Sequence, residues 1–266
     1  MTTLITGATG GIGGELAMLC AQHDADIIIT GRDADRLATL KATLEHDLNA
    51  NVIAVTLDLS QPNAAQRLHR FTRERHITID TLINDAGFGD WSAFLDMDEQ
   101  RLRSMMQVNM VALTELTYRF GRDMRDRGHG RILNIASVAA AVPGPYMAMY
   151  YATKAFVRSL GEAVFYELRG TGVSVTTVCP GPVTTGFEQA AHMHGSNFFT
   201  LPICKPSTPE RAAAFAYAKM AAGSALAYQG ALAKMVAFGA RLVPRALAAR
   251  IAARANGGDP RAADGQ

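Results

Sequence analysis

Tyr150 and Lys154 lie four residues apart in the run Tyr150-Tyr151-Ala152-Thr153-Lys154. On a helix they share a face, whereas Tyr151 is turned away by about 100°. A phenol with an ordinary pKa near ~10 is a poor acid–base group at neutral pH, and a neighbouring ammonium lowers that value by favouring the phenolate. The spacing therefore suits proton transfer to or from a substrate oxygen. Ser137 stands thirteen residues earlier, just past an apolar run, where its hydroxyl can hydrogen-bond a carbonyl.

A second group of residues suits an anion. Thr6-Gly7-Ala8-Thr9-Gly10-Gly11-Ile12-Gly13 follows a short β-branched run and precedes a helix-length one. Glycines there let the backbone turn tightly and approach a pyrophosphate, and a helix start offers free N–H groups and a partial positive charge. Gly7, Thr9, Gly11, Ile12 and Gly13 are the predicted cofactor contacts in this loop. The next apolar run ends in Thr30-Gly31-Arg32. Free ribose hydroxyls are usually held by an acidic side chain near this point. Gly31 instead leaves space and Arg32 offers a planar cation suited to phosphate, which favours NADP over NAD. Asp33 is positioned to pair with Arg32 and weaken that preference.

These residues need a scaffold that brings strand ends together, and the hydropathy pattern supplies one. Thr2–Thr6, Asp26–Thr30, Val52–Leu57, Thr81–Asn84, Ile132–Ala136 and Val173–Val178 read as short buried strands, with a final strand at Leu226–Tyr228. Between them Ile12–His23, Ala34–Leu48, Ala64–Arg75, Asp98–Arg127 and Tyr150–Arg169 read as helices, with stripes such as Leu37/Leu40/Leu44/Leu48. Alternation of this kind predicts an α/β fold: a single-domain, Rossmann-type doubly wound parallel sheet flanked by helices. Ligands bind such sheets beyond the carboxyl ends of the strands, where the motifs fall. The catalytic and dinucleotide-binding domain is expected over 1–255, with a substrate loop at 187–206 and a frayed tail at 256–266. Thr208 and Pro209 predict a helix start, and Leu242, Leu247 and Ile251 interleaved with Arg241, Arg245, Arg250 and Arg254 predict a basic amphipathic helix.

Composition excludes several classes. The chain has 266 residues, 48% of them hydrophobic, and 26 basic against 24 acidic side chains, for a formal net charge of +2. It is neither a disordered polyelectrolyte nor a nucleic-acid binder driven by bulk charge. Met1-Thr2-Thr3 lacks the basic start of a signal peptide, and Cys20, Cys179 and Cys204 form no disulfide or zinc pattern, so a cytoplasmic setting is expected. Ile132–Thr153 has no charged residue, but Pro143-Gly144-Pro145 breaks it, so it reads as strand, loop and helix start rather than a membrane span. His192 and His194 have no third partner, and no metal site is expected.

The ordered set Thr6–Gly13, Asn84-Asp85-Ala86-Gly87, Asn109, Ser137, Tyr150/Lys154 and Pro180-Gly181-Pro182-Val183-Thr184-Thr185 resembles the short-chain dehydrogenase/reductase family over residues 1–187. The resemblance implies that Tyr150 is the acid/base, that Lys154 lowers its pKa and holds the nicotinamide ribose, and that Ser137 orients the carbonyl. It implies that Asn109 holds a water linking Lys154 to solvent, and that Asp58 contacts the adenine. Asn84, Ala86 and Gly87 would border the adenine ribose. Val183 and Thr185 would meet the nicotinamide carboxamide, with Pro180 on the same cofactor-binding turn. Asp85 departs from the asparagine usual in the family; it is expected to be exposed or to pair with backbone N–H groups, with little effect on chemistry. Members are commonly dimeric or tetrameric, so a homodimer or homotetramer is expected.

The segments expected around the nicotinamide carry Val142, Pro143, Tyr146, Met147, Phe88, Trp91, Phe187, Phe198 and Phe199, with only Lys205 as a nearby cation. They predict a small apolar carbonyl or alcohol substrate. The full expectation is thus an NADP-dependent oxidoreductase with Tyr/Lys/Ser acid–base catalysis, NAD being the second choice of cofactor. A non-catalytic dinucleotide-binding regulator and a related lyase or epimerase are the alternatives. The C-terminal arginine–leucine stripe packs on its own domain or a sister subunit, or else touches an anionic membrane surface.

Overall fold

The computed structural model describes residues 1–23, 26–193 and 206–259. Seven strands form one sheet in the order β3-β2-β1-β4-β5-β6-β7, and every neighbouring pair is parallel. They are β1 (Thr2–Thr6), β2 (Asp26–Gly31), β3 (Asn51–Thr56), β4 (Thr81–Asn84), β5 (Gly130–Ile135), β6 (Val173–Pro180) and β7 (Leu226–Gln229). Both faces are covered by α1 (Gly11–His23), α2 (Ala34–Leu48), α3 (Ala64–Glu74), α4 (Glu99–Met106), α5 (Leu113–Arg127), α6 (Ala148–Glu167) and α8 (Pro209–Ala221), the last following a four-residue helix α7 (Phe187–Ala190). α9 (Ala231–Gly239) and α10 (Arg245–Ala255) complete the chain. This is the Rossmann-type doubly wound sheet. Its inner strands are buried on both faces, which is why they read as unbroken apolar runs.

Strand order reverses between β1 and β4, and the crevice of such a sheet opens at that reversal. Two close approaches make it. Gly7 has φ +72°, and a Cβ there would lie 2.7 Å from the Ala86 nitrogen. Gly13 abuts the Gly7 carbonyl, where a Cβ would come within 2.4 Å. The loop can therefore fold over the β4 end only as glycine. Beneath it, Asn84 Nδ2 donates to Asn134 Oδ1 at 2.9 Å and to Thr117 Oγ1 at 3.1 Å, tying β4 to β5 and α5 inside the core.

Three local features differ from expectation. The helix expected over 98–127 contains a π-helical stretch at Gln107–Ala112, and Asn109 sits in it with its side chain turned into the protein. Such stretches often mark functional positions. The helix α9 is not legible in the sequence because its residues are apolar nearly all round, leaving no stripe of period 3.6. Asn256, expected to begin a frayed tail, is buried: the Tyr151 hydroxyl donates to its Oδ1 and its Nδ2 donates to the Pro145 carbonyl, both at 2.9 Å. Residues 260–266 lie outside the described residues.

The helix carrying Tyr150 and Lys154 is set against the sheet by a glycine. A Cβ at Gly161 would lie 1.9 Å from Thr177 Oγ1 and 3.2 Å from its Cβ. Thr177 is fully buried and, being β-branched, has little freedom to turn away. Gly161→Ala gains about 1 kcal/mol of helix propensity, but overpacking of this kind costs about 1–3 kcal/mol. We expect a net loss of stability and a displaced α6, read as a lower urea midpoint and reduced turnover.

Candidate active site

The glycine loop, the ends of β2, β4, β5 and β6 and the start of α6 surround one cleft of about 670 Å³. Gly7, Thr9, Gly11, Ile12, Arg32, Asp58, Ala86, Gly87, Ser137, Tyr150, Lys154, Pro180, Val183 and Thr185 all line it, so most of the residues singled out in sequence converge there. Three do not. Gly13 packs beneath the loop, Asn84 belongs to the core network described above, and Asn109 is buried behind the wall. Asn84, expected to border a ribose, turns its Nδ2 into the sheet toward β5 and α5, and Asp85, Ala86 and Gly87 form the adjoining cleft surface.

The residues present fit a dinucleotide. Gly11 faces Thr185 across the cleft so closely that a Cβ would be 2.5 Å from Thr185 Cγ2, and a Cβ on Gly31 would be 3.1 Å from Thr9 Oγ1. The floor is thus kept clear of side chains where a pyrophosphate would run. At the far end Arg32 and Arg36 both line the cleft. Asp33 does not neutralise Arg32 as anticipated. It caps α2 by accepting from the Arg36 N–H at 3.0 Å, and it meets Arg36 Nε at 3.4 Å. Burial opposes ionisation of Asp58, yet the Ser60 N–H and hydroxyl, Gln61 and the Arg32 charge hold its carboxyl below the ordinary value. Arg36 and Ser60 were not singled out in sequence; each is an ordinary polar residue whose place depends on how the β2 and β3 ends converge.

At the other end Ser137 and Tyr150 both line the cleft, and the Ser137 side chain favours ionisation of the Tyr150 phenol. Ser137 follows β5, and its Oγ also accepts from the Ala139 N–H at 3.1 Å, which fixes the turn. Lys154 is 6% exposed; its Nζ donates to the Ile135 carbonyl at 2.8 Å and lies 5.9 Å from the centre of the Tyr150 ring. The electrostatics differ from the sequence argument. Burial pushes the Tyr150 phenol well above its ordinary value, against the influence of Ser137. Burial likewise lowers the Lys154 pKa, while the Asp85 charge supports its cationic form.

Asp85 is accordingly not a bystander. It is buried against the glycine loop, where a Cβ on Gly13 would come within 2.6 Å of its Oδ2, and it interacts with Lys154. Burial raises its carboxyl to about 6, with the Lys154 charge and the Gly13 N–H pulling the other way. Asn109 Oδ1 accepts from the Phe88 N–H at 3.1 Å, and its Nδ2 donates to the Phe88 carbonyl at 2.9 Å and Thr153 Oγ1 at 3.0 Å. It therefore splints the 87–88 turn to α6, beside Lys154 Nζ, which would lie 3.3 Å from a Cβ on Gly87.

Beyond Tyr150 the wall is apolar. Trp91, Ala139, Met147, Tyr151, Ala191 and Ala252 form a buried cluster, with Val142, Tyr146, Phe187 and Met193 packed on it. The Phe187 ring lies 5.1 Å from that of Tyr150. Of the expected lining residues, Phe88, Met147 and Phe187 face the cleft, whereas Trp91 supports it from behind. His194, Phe198, Phe199 and Lys205 lie outside the described residues. Arg101, unremarkable in sequence, clasps this end: it pairs with buried Asp90 and donates to the Gly89 and Ala190 carbonyls, joining the turn after β4 to α7. No cluster of metal-ligating side chains occurs among the described residues.

A family model described as short chain dehydrogenase matches residues 1–194. An uncharacterized oxidoreductase of Staphylococcus saprophyticus is 31% identical over 182 residues, which is 68% of this chain and 78% of the relative. A short-chain dehydrogenase from Sphingobium yanoikuyae, solved in complex with NADPH, superposes with a TM-score of 0.80 at 30% identity, covering 91% of this chain and 93% of that one. A bulky-bulky ketone specific alcohol dehydrogenase from Comamonas testosteroni gives a TM-score of 0.76 at 26% identity, covering 91% and 92%. The cleft at the β1/β4 reversal, the glycine loop and these similarities agree: the chain belongs to the short chain dehydrogenase family of oxidoreductases, which bind a nicotinamide dinucleotide.

Proposed function

We propose that this protein is an NADP-dependent oxidoreductase that interconverts a carbonyl and an alcohol on a mostly apolar substrate. The observation that carries the reading is the convergence of Ser137, Tyr150 and Lys154 on the apolar end of a cleft whose opposite end holds the glycine loop. The dinucleotide supplies hydride chemistry. The protein supplies orientation and the proton. Ser137 is placed to hydrogen-bond a substrate oxygen and to steady negative charge developing on it. Tyr150, kept protonated by burial, is placed to give its phenolic proton to that oxygen in reduction. Lys154 lends positive charge beside the phenol, and Asn109 holds the turn and helix that frame the ammonium.

The cofactor preference rests on Arg32 and Arg36 at the cleft's far end, where Gly31 leaves room for an added phosphate. The substrate class rests on Phe88, Met147, Tyr151, Phe187 and Met193 along the wall. The ketone preference in the name of the Comamonas neighbour supports the same class.

NADPH oxidation against a panel of apolar ketones and aldehydes tests the reading. Tyr150→Phe should lower kcat/KM by about a hundredfold or more while leaving NADPH binding, read by fluorescence, intact. Turnover unchanged in that variant, or a wild type that prefers small charged keto acids, would overturn it. Arg32→Glu places a negative charge against the proposed phosphate. It should raise the KM for NADPH about tenfold or more and leave that for NADH little changed, with kcat preserved.

Asp85 gives a pH dependence of stability. Its carboxyl is raised from 3.8 to about 6, so the folded state resists its ionisation. That penalty is complete above pH 6 and fades as pH falls from 6 toward 3.8, below which both states are protonated. Asp85→Asn should therefore raise the thermal midpoint at neutral pH, by an amount that shrinks as pH is lowered toward 4.

A further inference from the structure

The last two helices are weakly attached and carry an unusual surface. α9 buries only Ala233 and α10 only Ala252. Met235, Phe238, Leu242, Leu247 and Ile251 are all exposed, Leu242 by 71% and Phe238 by 66%. Met235 and Phe238 are three apart on α9, and Leu247 and Ile251 four apart on α10, so each pair shares a helix face. Single exposed apolar side chains are ordinary, but five large ones within 235–251 form a concentration that marks an interaction surface.

Charge indicates what covers it. Residues 231–258 contain Lys234, Arg241, Arg245, Arg250 and Arg254 and no aspartate or glutamate. Every one of these cations is exposed. A second copy docked through the same face about a two-fold axis would set these cations against themselves, with no acidic residue within 231–258 of either copy to pair them. An anionic lipid surface meets both properties at once, with headgroups matching the arginines and the acyl boundary taking the apolar side chains.

We propose that α9, the turn after it and α10 form an interfacial segment that holds this protein on anionic membrane surfaces. It does not cross the bilayer; no helix among the described residues is long and apolar enough to do so. The attachment lies next to the substrate end of the cleft. Ala252 packs into the cluster with Met147 and Tyr151, and Asn256, directly after α10, lines the cleft while bonded to Tyr151 and Pro145. The surface proposal stands without the proposed substrate class, since it rests on exposure and charge alone.

Co-sedimentation of the full chain with vesicles tests it, using phosphatidylcholine alone and phosphatidylcholine mixed with phosphatidylglycerol. The expected result is binding to the mixed vesicles only, weakened as salt is raised. Arg245→Glu with Arg250→Glu should reduce the bound fraction about tenfold or more. Leu247→Ser with Ile251→Ser should reduce it independently of salt. All four side chains are exposed, and retained turnover verifies that each variant folds. Three results overturn the proposal: no vesicle binding, equal binding to both vesicle types, or binding unaffected by either double variant. A fourth also overturns it: a solution mass that falls on Leu247→Ser with Ile251→Ser, without vesicle binding by the parent, assigns the face to a second copy.

Discussion

An ammonium group taken out of water must be compensated, and the active site is arranged around that requirement at Lys154. Three elements meet there, two of them compensating the charge that the third carries. β5 provides the Ile135 carbonyl, the turn after β4 provides the Asp85 carboxylate, and α6 carries the lysine itself. None of these is adjacent to another in sequence. The sheet must place the β4 and β5 ends side by side, and Gly161 must let α6 settle against β6, before the charge has its partners. The site is thus a consequence of the sheet's order rather than of a local motif.

The same desolvation acts on every ionisable group nearby, in opposite directions. It raises Tyr150 and Asp85 and lowers Lys154. A protonated phenol beside a lysine is suited to donating a proton rather than abstracting one. Asp85 adds a negative charge that an asparagine would not, and its neighbours are Gly13 of the glycine loop and Lys154. The two halves of the cleft are therefore linked electrostatically through one carboxyl.

The two ends of the cleft are built by different means. The dinucleotide end depends on the absence of side chains: Gly7, Gly11 and Gly31 leave backbone where any Cβ would intrude. The substrate end depends on side chains drawn from distant segments, including Trp91, Met147, Phe187 and Ala252. Arg101 joins two of those segments through buried Asp90, and Asn256 joins the C-terminal helix to the Tyr151 side of the wall. Residues that hold such a wall are spread along the chain and carry no spacing of their own.

What the sequence determined by itself was whatever depends on local periodicity and on residue type at short range. The parallel strands were legible because burial on both faces leaves unbroken apolar runs, and α6 because its helical spacing brings Tyr150 and Lys154 to one face. The glycine loop was legible because few residues can make that turn. Tertiary structure alone decided the rest. Asn84 stands within a matching motif yet points into the core, since only strand pairing shows that Asn134 and Thr117 are waiting for it. Asn256 read as tail because its partners, Tyr151 and Pro145, are more than a hundred residues away. The sign of the Tyr150 shift followed from desolvation, which depends on how much protein surrounds a group and not on which residue lies four positions along.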